Sequence, residues 1–270
     1  MGSSANTPRG LLGEGGAGRA LLLCLLLAAP TARAEMPRGD CDAPAPYTDL
    51  RHCSFSGRVT SGLDLRGTRL EGTDLTNAKL FDCDLSEANL QGADLKWANL
   101  GGCRARGADF SGADLFHTTF DEAILTGSRF TRANLFGANL NEVQARETDF
   151  RHAYMKDIAM EESDFGAADF TDAFMQRAVL INSRLEGAVF HEAVLTGAAF
   201  EGADLSRADL SRALVNGAHL EGASLVGAEL RDARFVNAVF HDTDLEGARH
   251  PPPEVAEILR KTAETALPAQ

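Results

Sequence analysis

"ANLQGADLKWANL", Ala88 to Leu100, nearly repeats itself every five residues. A period of five fits neither an extended strand, whose side chains alternate with period 2, nor an α-helix, with period 3.6. Working outward from Leu90, Leu95 and Leu100, an apolar residue stands at every multiple of five from Leu65 to Leu245, without an insertion or deletion. These 37 centres are 21 Leu, 10 Phe, 3 Met, 2 Ala and 1 Val, and two residues before them 34 of the 37 positions are Ala, Ser, Thr or Cys. Chance does not hold a register over that length.

The spacing dictates a geometry. The small residue, the following Asp or Asn, and the centre alternate in, out, in, as on an extended segment. The next two residues are mostly polar and both point outward, which requires a corner. Between Phe55 and Arg249 there are 19 glycines, and 17 lie two residues after a centre, where a tight turn selects positive φ. Proline, which removes a backbone donor, is absent between Pro46 and Pro251. Helix is the competing reading, but interior glycine and Asp/Asn at this density argue against it. A short extended segment and a turn, repeated, give a coil, and stacked coils share one core.

"ADLSRADLSRAL", "ANLFGANL" and "AHLEGASLVGAEL" resemble the pentapeptide-repeat proteins, whose pattern is A(D/N)LXX. The resemblance covers residues 55–249. It implies an all-β solenoid, a right-handed quadrilateral β-helix with four repeats per coil. Arg104 to Arg106, Val143 to Ala145 and Tyr154 to Met160 depart from the pattern. Residues 35–54 then read as an N-terminal cap and 250–270 as a C-terminal capping helix and tail. Pro253 suits a first helical position and Glu254 a helix start. Val255, Ile258, Leu259, Ala263 and Ala266 make one apolar stripe.

Residues 1–34 read as a signal peptide: Arg9 and Arg19, then the ten-residue apolar run Ala20 to Ala29, then "ARA" with cleavage near Ala34. Ten apolar residues are too few for a bilayer span, so no membrane span is expected in the mature chain. The remaining chain carries 23 basic and 38 acidic residues, net −15. That balance excludes nucleic acid as a partner, being itself a polyanion. Four cysteines are left, an even number that suits an exported chain. Cys41 and Cys53 precede the regular repeats and are expected to bridge. Cys83 and Cys103 are inward positions one coil apart, close enough for a disulfide, but a buried free cysteine is a good small core residue and is the preferred reading here.

With 20 residues per coil, Phe110, Phe130, Phe150, Phe170 and Phe190 stack as an inner ladder, which reads as core packing. Two outer columns stand out. Glu122, Glu142 and Glu162 stack beside Asp121 and Glu161, either as hydrated like charges or bridged by a divalent cation. Trp97, Phe116, Phe136, Tyr154, Phe174, Val194 and Leu214 form an apolar strip, either an interface or side chains folded onto the corner backbone. No HxH, HExxH, serine elbow or phosphate loop occurs among the seven histidines and the glycines. No catalytic, cofactor or metal residue is therefore assigned. The expected function is an exported, non-enzymatic scaffold or rod, binding a protein partner or a second copy through the apolar face. The resemblance supplies an alternative: an acidic, DNA-mimicking β-helix that binds DNA gyrase or another type II topoisomerase in the cytoplasm.

Overall fold

The structure is a computed structural model that describes residues 35–266; the signal segment at 1–34 lies outside them. From residue 49 onward the chain winds into a right-handed coil in which each outward residue before a centre pairs, in parallel, with the residue 20 positions later. One such column runs Asp49, Arg69, Asn89, Asp109, Arg129, Asp149, Asp169, Val189, Asp209, Glu229 and Arg249. Twenty residues, or four pentads, make each turn. The flat sides are short. Apart from β1 (Val59–Ser61) paired with β2 (Lys79–Phe81), each side contributes a single bridged residue per coil. Leu90 N donates to Asp109 O at 2.7 Å and Asp109 N to Ala88 O at 2.9 Å, so each parallel bridge is a pair of bonds from one residue to the two neighbours of its partner on the facing coil.

Centres and small residues fill the inside. Leu65 to Leu230 are almost all completely buried at the centre positions, as are most of the alanines two residues earlier. Phe110, Phe130, Phe150, Phe170 and Phe190 stack with centroids 4.8, 5.0, 5.0 and 4.9 Å apart and rings within 12° of parallel. That spacing is the coil repeat itself, so rings meet face to face without leaving their rotamers. Val143 and Ala145 are both buried, the large residue of one position compensating the small residue of the next. Inward hydroxyls are satisfied: Thr118 donates to Leu95 O at 2.8 Å, Thr148 to Leu125 O at 3.0 Å and Ser163 to Leu140 O at 2.9 Å.

Corners close with a turn bond, such as Ala98 N to Leu95 O at 2.9 Å, and with positive φ at the second outward residue. Glycine is expected there, yet 24 non-glycine residues of the described chain have positive φ, among them Glu87, Arg132 and Glu147. Each costs about 1–2 kcal/mol as a lone left-handed residue. The ladder bonds on both sides of every corner outweigh that cost. The Asp or Asn before the centre explains part of the stability of these corners. Its Oδ1 accepts the amide two residues on, at 3.0 Å in Asp74–Thr76, 3.1 Å in Asn89–Gln91 and 2.9 Å in Asn99–Gly101.

Both ends of the coil are tied down. Arg38 pairs with Asp49, and a disulfide joins Cys41 to Cys53 with Cα atoms 5.4 Å apart. A second disulfide joins Cys83 to Cys103, Cα–Cα 4.5 Å, one of the two arrangements open to this pair. At the other end α1 spans Pro253–Ala266. Val255 is fully buried and Ile258 and Leu259 pack against the core. The side chains of Ala263 and Ala266, expected on the same stripe, lie outside those described.

Candidate interaction surface

The apolar strip forms as a continuous stack on the outside of the coil. Trp97 packs edge-on to Phe116 at 5.4 Å, Phe116 lies flat on Phe136 at 5.4 Å, Phe136 meets Tyr154 at 6.1 Å, and Tyr154 lies on Phe174 at 5.4 Å. The bridged column then continues through Val194 and Leu214. The outward residues on either side of a centre are two apart in sequence and point the same way. That is why rings from position 136 and position 154 can meet although they occupy different columns. Trp97 is 56% exposed and Tyr154 42%, while the other members are half-buried against one another. The rings cover one another and still leave Trp97 and Tyr154 open to water.

His117 also belongs to the strip. Its ring stacks on Trp97 at 4.5 Å and stands edge-on to Phe116 at 4.4 Å. The sequence carries the signal, since 97 and 117 are 20 apart on the same corner. The border is polar. Lys96 Nζ reaches Asp94 at 2.8 Å and Asp114 at 3.5 Å, and Asn134 donates to Asp114 at 2.8 Å. Arg177 clamps Asp157 through two bonds of 2.6 and 2.7 Å, which holds the Asp157 carboxyl below the usual range. The strip therefore has an apolar middle and a charged border.

The carboxylates elsewhere are mostly engaged. Arg51 holds Asp49 and Arg66 holds Asp64, each lowering its partner's pKa through a side-chain hydrogen bond. For Asp109, burial raises the pKa, but bonds from Ser111, Gln91 and Arg129 overcome it and hold the group at about 2. Asp121 goes the other way. Burial, reinforced by the neighbouring Glu122 charge, pushes its pKa up, and its Oδ1 is buried without a partner. Glu122, Glu142 and Glu162 all occupy positive-φ corners, but among the described residues their oxygens do not converge as a group of three. Two other groupings do: Cys41, His52 and Cys53, whose sulfurs are bonded to each other, and Glu201, His219 and Glu221. Spacing-based motifs miss the latter, although Glu201 and Glu221 share a column. Among the described residues no helix is long and apolar enough to cross a membrane.

Comparison with known proteins places this geometry. The family described as pentapeptide repeats (8 copies) matches residues 61–96, 93–132, 128–172, 175–212 and 216–249, more than half of the chain. HetL, a pentapeptide repeat protein involved in heterocyst differentiation regulation from the cyanobacterium Nostoc sp. strain PCC 7120, is 32% identical. The match covers 76% of this chain and 88% of that one, with a TM-score of 0.44. A trypsin-treated form of QnrB1, a plasmid-mediated fluoroquinolone resistance protein, is 21% identical over 78% of this chain and 100% of that one, TM-score 0.49. Rfr23 from the cyanobacterium Cyanothece 51142 is 21% identical over 43% and 89%, TM-score 0.39. No curated protein matches the chain in sequence. On the profile match and the unbroken five-residue register beneath it, the chain belongs to the pentapeptide-repeat family.

Proposed function

We propose that this protein is a non-enzymatic, exported binding rod whose outer aromatic strip docks a protein partner or a second copy of itself. The observation that carries the reading is the uninterrupted stack from Trp97 to Phe174, exposed at Trp97 and Tyr154. Export is supported by the signal-like residues 1–34 and by two disulfides, which persist in oxidising compartments. Among the described residues most carboxylates serve corners and ion pairs, which supports a binding role over acid–base chemistry.

The acidic surface favours a second reading, a mimic of DNA that binds a type II topoisomerase; the net charge of −13 on the full chain is its supporting observation. The two separate experimentally. Phe116→Glu with Phe174→Glu places charge inside the strip without touching the acidic columns. In sedimentation and affinity capture beside the wild type, association lost in the double variant with its circular dichroism intact supports the strip. Undiminished association overturns it. Full-length protein with residues 1–34 retained in the cytoplasm, together with gyrase inhibition, supports the mimic instead.

A further inference from the structure

Glu201 and Glu221 stand one coil apart at the same corner, with His219 two residues before Glu221 on the adjoining side. The three side chains bring a carboxylate oxygen from each glutamate and an imidazole nitrogen within 4.8 Å of one another. His219 Nδ1 lies 3.4 Å from Glu221 Oε1, long and weak for a hydrogen bond. It matches the edge of a tetrahedron, about 3.3 Å, drawn around an ion with bonds of 2.0–2.1 Å.

A second observation points the same way. Oε2 of Glu201 and Oε2 of Glu221 are both shut off from solvent and have no hydrogen-bond partner. Among the described residues neither glutamate pairs with a lysine or arginine; His219 is the partner of Glu221. Carboxylates elsewhere on the coil are neutralised in part, Asp149 by Arg151 and Asp157 by Arg177, while Asp121 also keeps an unpartnered oxygen but, among the described residues, has no imidazole converging on it. Glu71, which also has an unpartnered oxygen, is held through its other one by Arg69 and Asn89. Two like charges one coil apart with buried, unsatisfied oxygens are a cost that a cation removes. His241, one coil above Glu221, is turned onto Asp242 at 3.1 Å. The side chains of His219 and Glu221 remain partly open to water, which leaves an ion a way in.

We infer that Glu201, His219 and Glu221 form a binding site for one divalent first-row transition metal ion of the zinc class, with solvent in the fourth position. One nitrogen and two oxygen donors suit zinc, and a site using imidazole discriminates against calcium and magnesium, which take oxygen ligands. The inference is independent of the aromatic strip, which lies on a different column of residues.

Chelator-treated, untagged full-length protein is titrated calorimetrically with zinc chloride and, separately, calcium chloride, with melting temperature as a second readout. One zinc ion per chain is expected, with a rise in melting temperature at saturation and calcium weaker by about tenfold or more. Glu201→Gln, Glu221→Gln and His219→Ala should each weaken zinc binding about tenfold or more, with circular dichroism unchanged. Glu142→Gln with Glu162→Gln should leave it unaltered. No zinc heat at roughly 1 mM, where even weak metal sites fill, overturns the inference. Zinc binding that survives the three substitutions, or calcium bound as tightly as zinc, overturns it equally.

Discussion

Replacing Phe150 by alanine tests the inside of the coil. Phe150 is fully buried, with Phe130 and Phe170 each 5.0 Å away in parallel and Phe165 edge-on at 6.0 Å. Truncating a buried phenylalanine costs about 3–5 kcal/mol through lost transfer energy and the cavity left behind. Each broken ring pair contributes about 0.5–1.5 kcal/mol, and coils locked at one fixed rise cannot collapse into the gap. The upper half of the range, about 4–5 kcal/mol, is therefore expected. At about 2–4 °C per kcal/mol for a chain this long, melting should fall by about 8–20 °C. The matched control is Phe174→Ala, four residues beyond Phe170 and only half-buried on the outer stack. It should cost about 1–2 kcal/mol. Urea denaturation followed by circular dichroism measures both, with Phe150→Leu expected to recover more than half of the loss. Equal costs at 150 and 174, or a cost under about 1 kcal/mol at 150, would refute the inward and outward assignment.

Further outcomes follow from named contacts. Asp121→Asn should raise stability at neutral pH, because the carboxyl's folded pKa lies above its ordinary 3.8 through burial; charging it penalises the fold as pH rises through that value. The gain should vanish below about pH 4, whereas Asp109, held at about 2, contributes stability above its ordinary value that is lost as pH falls toward 2. Thiol labelling of the denatured protein should find none of Cys41, Cys53, Cys83 and Cys103 free before reduction and all four after. Removing Cys41–Cys53, which closes 12 residues, should cost about 3 kcal/mol in the chain-entropy model. Deleting residues 251–270 uncovers the last coil under Val255, and size-exclusion chromatography should then show oligomers in place of the full chain's profile; an unchanged profile would contradict the capping role of α1.

The five-residue register made the coil legible because a residue's side, inward or outward, depends only on its own position in the pentad. Leu65 to Leu245 and the phenylalanine ladder follow from that one rule, while the helix start at Pro253 follows from proline's fit to a first helical position. What the rule leaves open is the conformation of outward side chains, which is set by neighbours 18 and 20 residues away. His117 joins Trp97 through such a neighbour, and Glu201, His219 and Glu221 converge through two of them. The corners show a different limit. Glycine marks many of them, but Arg132 and Glu147 adopt the same positive φ, since ladder bonds on both sides override a local preference. Where Asp or Asn stands before the centre, it reads as a surface polar residue in sequence and proves, as at Asp74 and Asp204, to be the acceptor that ties its own corner.

The distance between Arg104 and Asp244 tests the square coil most directly. Both are exposed and stand in one column, joined by parallel bridges through 124, 144, 164, 184, 204 and 224. Seven coil steps of about 4.8 Å place them about 34 Å apart. Pulsed electron–electron resonance on spin labels at Arg104→Cys and Asp244→Cys, with the native disulfides oxidised, should give one narrow distribution near that value. A distance near 45 Å, which a three-sided coil of about 15 residues would produce at the same rise, or a broad distribution, would contradict four pentads per turn and every column built on it.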